Sequence, residues 1–244
     1  MNRDMQANHI GVLGGMGPEA TILLQQKLIA ATDAKDDSDH IPLLIEMNPQ
    51  VPSRIAHLIE ETGEDPGPTL AAMARRLETA GAVALAMPCN TAHFYAPAIT
   101  KAVKIPLLNM VDLAADHALA TLAPGGSIGM LASPAVKKTH LFERALQARG
   151  LTTIWPDDDA SMLTAIRAIK ANGPCQSARD ILTAASAELV AKGGRLQFVA
   201  CSEFSLIAES AAPEARAVDT LDLLVRAIID ISSPAPSPTK TPYN

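Results

Sequence analysis

Two stretches decide the fold: Val83-Ala84-Leu85-Ala86-Met87-Pro88-Cys89-Asn90-Thr91-Ala92-His93 and Gln197-Phe198-Val199-Ala200-Cys201-Ser202-Glu203. In each, an apolar run of strand length ends at a cysteine and gives way to polar residues. We therefore predict two buried strands, each with a thiol at its carboxyl end. Open α/β sheets bind their ligands at that end of the strands. Because the two settings are alike, the pattern predicts one thiol on each side of one substrate.

The rest of the chain alternates short apolar runs with longer helical stretches rich in Ala and Leu. This alternation is typical of parallel sheets covered by helices on both faces. The predicted strands are 9–13, 41–47, 82–87, 106–109, 127–131, 151–154 and 196–200. The predicted helices are 18–32, 67–80, 91–102, 111–121, 137–149, 158–171, 176–192 and 219–231.

The two halves of the chain look alike. Ile10-Gly11-Val12-Leu13 is echoed by Ile128-Gly129-Met130-Leu131, and in each half a later strand ends at a cysteine. We predict an α/β protein of two pseudo-symmetric three-layer lobes with parallel four-stranded sheets and an active site in the cleft between them. The predicted division is 9–109 plus 216–231 for the first lobe, 110–215 for the second, and a disordered Pro- and Ser-rich tail at 232–244.

Composition excludes several classes of function. Of the 244 residues, 48% are hydrophobic and 19% are charged, and the net charge is -6. The sequence contains no cluster of Lys and Arg residues, which argues against binding to nucleic acid. No apolar run is long enough for a membrane span, and the first residues lack the apolar core of a signal peptide, so we expect a cytoplasmic protein. Three cysteines without a CxxC pair argue against a disulfide framework or a structural zinc site.

A glycine-rich turn, Gly14-Gly15-Met16-Gly17-Pro18-Glu19-Ala20-Thr21, follows the first predicted strand. Amides at such a helix start can bind a carboxylate or a phosphate. Gly15, Gly17 and Ala20 also fit a weak dinucleotide fingerprint, although Pro18 removes one amide donor. A plain strand-to-helix turn is the remaining interpretation.

A proline-bounded loop, Asn48-Pro49-Gln50-Val51-Pro52-Ser53-Arg54, follows the second strand. Its prolines favour a rigid, irregular backbone. Arg54 could bind a carboxylate because the guanidinium fork matches the two oxygens. A surface loop with a solvated arginine is the alternative.

Each cysteine also has a structural interpretation, because free cysteines are commonly buried as small apolar residues. The paired setting favours function, since both Cys89 and Cys201 precede predicted turns or helix starts, where amide dipoles favour a thiolate. Cys89 and His93 have the i, i+4 spacing of half a metal site, but no second pair completes it, so no metal is predicted. Cys175 receives no role.

Jointly, these segments resemble the aspartate/glutamate racemase superfamily, and within it the aspartate racemase group, over residues 9 to 231. The resemblance is carried by 11–18, 48–54, 87–93, Gly63-Glu64-Asp65-Pro66, Ile169-Lys170 and Ala200-Cys201-Ser202-Glu203, where the family usually shows Gly-Cys-Thr-Glu. It implies racemisation by two cysteines without pyridoxal phosphate (PLP) or another cofactor, acting on a small amino acid, commonly in a homodimer. The substrate contacts it implies are Met16, Gln50, Arg54, Asn90, Thr91, Ser133, Lys170 and Ser202.

The chemistry is consistent with two thiols. Inversion of an α-carbon needs a base on one face and an acid on the other, and a cysteine pKa of about 8.5 makes both protonation states reachable near neutral pH. We therefore expect Cys89 and Cys201 to racemise aspartate, glutamate or both. The alternatives are racemisation of a hydantoin or another amino acid, a non-catalytic amino-acid binding protein, and a dinucleotide-dependent oxidoreductase.

Overall fold

The structure is a computed structural model and describes residues 8–232. Its strands form two sheets, each with four parallel strands. The first sheet has the order β2-β1-β3-β4, with β1 at His9–Gly14, β2 at Leu43–Met47, β3 at Ala82–Ala86 and β4 at Leu107–Leu108. The second sheet has the equivalent order β6-β5-β7-β8, with β5 at Ser127–Ala132, β6 at Thr152–Ile154, β7 at Leu196–Ala200 and β8 at Arg216–Asp219.

Ten α-helices cover these sheets within the described residues. They are α1 (Pro18–Ala31), α2 (Gly67–Thr79), α3 (Ala96–Ala102), α4 (Met110–Thr121), α5 (Pro134–Lys138), α6 (Leu141–Gln147), α7 (Asp159–Asn172), α8 (Gln176–Ala191), α9 (Ser202–Ser205) and α10 (Thr220–Ser232). Short 3-10 turns lie at Asp37–Asp39, Thr91–Tyr95 and Ala208–Ser210, and one π-helical turn lies at Ala56–Glu60.

The central strands of both sheets are largely buried, as is typical of parallel sheets covered by helices on both faces. Along β1, Ile10 and Val12 join one apolar cluster with α1 and α10, whereas Leu13 joins another with α2 and α3. The second sheet repeats this arrangement, because Met130 packs toward α4 and α6 while Leu131 packs toward α7 and α8. The predicted α/β fold with two pseudo-symmetric lobes is confirmed.

The helices α4 and α10 connect the two lobes. Met110 begins α4 in a cluster of the first sheet, and Val111 already belongs to a cluster of the second. On α10, Leu221 and Leu224 pack with the first sheet, whereas Leu223 packs with the second. The two lobes therefore share a continuous apolar layer behind the cleft.

Some predicted elements differ from the structure. Arg216–Asp219 forms the edge strand β8 beside β7 in the second sheet, so the predicted assignment of residues from 216 onward to the first lobe is wrong for this strand. The predicted helix 137–149 is two helices, separated where His140 adopts a left-handed backbone with φ of 51°. Ser232 ends α10 rather than beginning the predicted tail, and residues 233–244 lie outside the described part of the chain.

Candidate active site

Both thiols lie at the carboxyl ends of equivalent strands. Cys201 directly follows β7, and Cys89 lies just beyond β3, after Met87 and Pro88. Because β3 and β7 hold the same position in their sheets, the two cysteines enter one cleft from opposite lobes. Their exposed fractions are 6% for Cys89 and 5% for Cys201. Each sulfur is therefore largely removed from bulk water yet lines the same cavity.

The cleft contains every predicted site residue except one. Its walls are formed by Met16, Ser53, Arg54, Ile55, Cys89, Asn90, Thr91, Ser133, Ile166, Lys170, Cys201, Ser202 and Glu203. Gln50 is exposed and is not among these lining residues, so its contact with substrate stays a prediction. Ser53, Ile55, Ile166 and Glu203 also line the cleft.

A buried histidine holds the backbone beside Cys89. His93 Nδ1 lies 2.9 Å from the Cys89 carbonyl oxygen, and the Met110 amide donates to His93 Nε2 at 3.1 Å. Since Nε2 accepts, Nδ1 carries the proton and donates to Cys89. Burial lowers the pKa of His93, which keeps the ring neutral. With both ring nitrogens occupied, His93 is a structural group rather than half of a metal site.

The side chain of Asn90 is fixed by a buried link to the second lobe. Its Nδ2 donates to Thr220 Oγ1 at 3.0 Å, and the Thr220 hydroxyl lies 3.0 Å from the Val199 carbonyl oxygen on β7. Asn90 is 1% exposed and Thr220 is fully buried. The residue that follows Cys89 is thereby tied to the strand that carries Cys201.

A second link joins the lobes at the cleft itself. Thr91 Oγ1 and Ser133 Oγ lie 3.0 Å apart, and Ser133 also caps α5 by accepting from the Val136 amide at 3.3 Å. Ser133 is 4% exposed. Two hydroxyls from opposite lobes thus face the same space as the thiols.

The loop after β2 supplies a cation to the cleft. Arg54 Nη1 donates to the carbonyl oxygens of Val51 at 3.2 Å and Pro52 at 2.8 Å, so the guanidinium is anchored by its own loop. Ile55, the next residue, packs against an apolar cluster of the second lobe. The rigid proline-bounded loop expected from the sequence therefore crosses from one lobe to the other.

An ion pair between Lys170 and Glu203 lies on the opposite wall, beside Cys201 and Ser202. Lys170 Nζ is 3.2 Å from Glu203 Oε1, while Glu203 Oε2 accepts from Cys201 Sγ at 3.1 Å and from Ser202 Oγ at 3.4 Å. Burial lowers the pKa of Lys170, but the charge and the hydrogen bond of Glu203, together with the nearby Cys89, outweigh that effect and the pKa is raised. Burial, together with the charge of Glu203, raises the pKa of Cys201 well above its usual range.

Two ion pairs connect the lobes beside the cleft. Glu60 binds Arg167 of α7 at 3.0 Å, and Glu61 binds Lys138 of α5 at 2.6 Å. Glu60 is the last residue of the π-helical turn that continues the Arg54 loop, and Glu61 directly follows it. Ion pairs and Ile55 together hold this segment against the second lobe.

The glycine-rich turn places Met16 in the cleft wall. Gly15 has φ of 93°, and a Cβ there would lie 2.5 Å from the Asn48 carbonyl oxygen, so only glycine fits this close approach. The Gly15 amide donates to Thr21 Oγ1 at 3.0 Å. That amide is therefore not available to a phosphate, which weakens the interpretation as a dinucleotide site.

Within residues 8–232, no helix is long and apolar enough to cross a membrane. No group of three or more His, Cys, Asp or Glu side chains in this part of the chain is arranged to hold a metal ion.

Fold and site together define a class: a two-lobed α/β protein whose paired strand ends bring two thiols, two cations and several hydroxyls to one cleft. Comparison with known proteins gives the family. The family model described as Asp/Glu/hydantoin racemase matches residues 13–228, and the chain belongs to that family.

Individual relatives agree with this assignment. The aspartate racemase of Picrophilus torridus has a TM-score of 0.79 and 27% identity, with 92% of this chain and 94% of that chain covered. An aspartate racemase homologue from Pyrococcus horikoshii OT3 shares the fold, with a TM-score of 0.71, 20% identity and coverage of 92% and 99%. The broad specificity amino-acid racemase RacX of Bacillus subtilis (strain 168) is 26% identical over 152 residues, which are 61% of this chain and 64% of RacX. The match thus spans just under two thirds of that curated relative.

Proposed function

We propose that this protein racemises a dicarboxylic amino acid, aspartate or glutamate or both, without PLP, using Cys89 and Cys201 as its acid/base pair. The observation that carries the proposal is the convergence of the two thiols, from equivalent strand ends of opposite lobes, on one cleft. Opposed acid/base groups are what inversion of a stereocentre requires.

The reaction needs only proton transfers. One cysteine, as thiolate, takes the α-proton, and the C–H electron pair stays on the substrate as a carbanion delocalised into the α-carboxylate. The other cysteine, as thiol, gives its proton to the opposite face and becomes the thiolate. The product is the other enantiomer, and the reverse reaction exchanges the two roles.

In this proposal, donors near the thiols stabilise the charge that develops on the α-carboxylate. Asn90, Thr91, Ser133 and Ser202 line the cleft beside the sulfurs. The first three are already held by cross-lobe hydrogen bonds, so little reorganisation is needed when the charge forms. Preorganised donors of this kind contribute strongly to catalysis.

Two cationic side chains in the cleft favour a substrate that carries a second carboxylate. Arg54 and Lys170 both line the cleft. Arg54 uses Nη1 to anchor its loop, while Nε and Nη2 form no hydrogen bond within residues 8–232. A guanidinium with free donors in a shielded cleft favours an acidic side chain over an apolar one. The named aspartate racemase among the similar structures agrees with this substrate class.

The test is α-proton exchange in D₂O. Purified protein is incubated with L-aspartate or L-glutamate without PLP, and loss of the α-proton signal is followed by NMR while the D-enantiomer is measured by chiral chromatography. We expect exchange with inversion, lost in Cys89→Ala and Cys201→Ala. Cys175→Ala is the matched control and should keep full activity, because Cys175 lies outside the cleft lining.

Other outcomes discriminate between the alternatives. Exchange only with a neutral amino acid or a hydantoin would refute the dicarboxylic substrate. Thermal stabilisation by aspartate without exchange would indicate a binding protein with the same lobes. Homodimer formation and a cytoplasmic location stay predictions.

A further inference from the structure

Glu203 lies where it contacts both the acid/base machinery and a substrate-binding cation. It is the second residue of the short helix α9, and its side chain is 12% exposed. One carboxylate oxygen accepts from Cys201 Sγ at 3.1 Å and the other lies 3.2 Å from Lys170 Nζ. Glu203 therefore bridges a thiol and an ammonium group inside the cleft.

The corresponding position in the other lobe carries a neutral residue. Cys89-Asn90-Thr91 and Cys201-Ser202-Glu203 occupy equivalent strand ends, so Thr91 is the counterpart of Glu203. Thr91 turns to Ser133 at 3.0 Å instead of to the thiol beside it. Within residues 8–232, no hydrogen bond reaches the Cys89 sulfur. The fold is pseudo-symmetric at the two thiols, but their charge environments differ.

This difference affects which thiol holds its proton. Ionising Cys201 would place a thiolate about 3 Å from a carboxylate oxygen, and two like charges this close in a shielded site disfavour ionisation. The other charged or titratable groups that line the cleft are Lys170 of α7, Arg54 of the loop after β2, and Cys89. Lys170 is already paired with Glu203, and Arg54 is anchored to the first lobe.

We infer that Glu203 is a positioning residue that holds Cys201 as the protonated acid in the resting protein and leaves Cys89 to act as the base. The inference rests on the two-thiol function proposed above, and it specifies which cysteine is the base and which is the acid in the resting protein. The resting protein takes the α-proton onto the Cys89 sulfur and delivers the Cys201 proton to the opposite face. The thiolate left on Cys201 then lies beside Glu203. It takes a proton from solvent while the Cys89 thiol releases its proton to solvent, and the resting state is restored.

The test is the pH dependence of alkylation at each cysteine of the full chain. Iodoacetamide reacts with the thiolate, and trypsin places the three cysteines on separate peptides, 77–101, 171–179 and 196–216. Rates are measured from about pH 6 to 10 by mass spectrometry. We expect the alkylation rate of Cys201 to reach half of its maximum at a higher pH than that of Cys89; this pH is called the midpoint. Accessibility changes the plateau of such a curve, whereas protonation changes its midpoint.

Two variants isolate the carboxylate charge. Glu203→Gln should lower the Cys201 midpoint by at least about one pH unit, which raises its alkylation rate about tenfold at a pH below both midpoints. Glu203→Asp keeps the charge and should keep the midpoint high. Cys175, in another region of the chain, is the internal control and should not change. Unchanged Cys89 and Cys175 curves also show that each variant remains folded.

Two results would overturn the inference: a Cys201 midpoint that is the same in Glu203→Gln as in the wild type, or one at or below that of Cys89. No substrate is used, so this result is separate from the racemase assay. A protein that fails to racemise aspartate can still show the raised alkylation midpoint of Cys201, and an active racemase can lack it.

Discussion

Replacing Thr220 by Val tests the buried link between the lobes. The two side chains have nearly the same shape, but Val has no hydroxyl. The change removes the hydroxyl that accepts a hydrogen bond from Asn90 Nδ2 and donates one to the Val199 carbonyl oxygen, each with a length of 3.0 Å. Thr220 is fully buried, so water cannot replace the hydroxyl. A buried polar group left without a partner costs about 1–3 kcal/mol. We expect Thr220→Val to lower the free energy of unfolding by about 2 kcal/mol.

The same change should reduce turnover. Asn90 loses the bond that orients its amide beside Cys89, and misorientation worth about 1.4 kcal/mol in the transition state lowers the rate about tenfold. Urea unfolding gives the stability, and the D₂O exchange assay gives kcat and KM separately.

Thr164→Val is the matched control, because Thr164 is exposed on α7 and bonds only within its own helix. Its stability should stay within about 0.5 kcal/mol of the wild type. The reasoning is refuted if Thr220→Val unfolds at the wild-type urea concentration or keeps the wild-type kcat.

Three further perturbations are predicted. Burial lowers the folded-state pKa of His93, so the neutral ring contributes its full stability above the unfolded pKa of 6.5, and this stability is lost as the pH falls below 6.5. The free energy of unfolding should therefore fall less steeply in His93→Gln than in the wild type between about pH 6.5 and 5. Equal slopes of unfolding free energy against pH in the two proteins would contradict this prediction. Leu224→Ala, at a fully buried site on α10, should cost about 2–5 kcal/mol in urea unfolding, whereas Leu119→Ala, at a side chain 50% exposed, should cost less than about 0.5 kcal/mol. Glu60→Ala breaks an exposed ion pair with Arg167 and should change stability by less than about 1 kcal/mol; a loss above about 2 kcal/mol would show that the pair is structurally essential.

Much of the fold was predictable because the central strands of both sheets are largely buried. The apolar run 82–87, and 196–200 with Gln197 as its single polar residue, indicate buried strands, and both are found. The edge strand β8 was not predictable in this way, since Arg216-Ala217-Val218-Asp219 is short and has charged ends. Only its pairing with β7 reveals it as a strand.

The cleft was predictable where its residues follow strand ends. Carboxyl ends of parallel strands meet at one edge, which brings Cys89 and Cys201 together without any knowledge of loop geometry. Gln50 lies on a loop whose side-chain directions the sequence does not determine, and it is exposed. Glu203 was visible as part of the second motif, but its contacts depend on how the one-turn helix α9 directs the side chain back to Cys201.

The position of α10 has a consequence for synthesis on the ribosome. Leu221, Leu224 and Ile228 complete the apolar cluster on one face of the first sheet, although that sheet is built from residues 9 to 108. A nascent chain arrested before residue 220 leaves Ile10 and Val12 without these partners. The first lobe therefore cannot finish folding as it emerges, and both lobes reach their final packing only after α10 has left the exit tunnel.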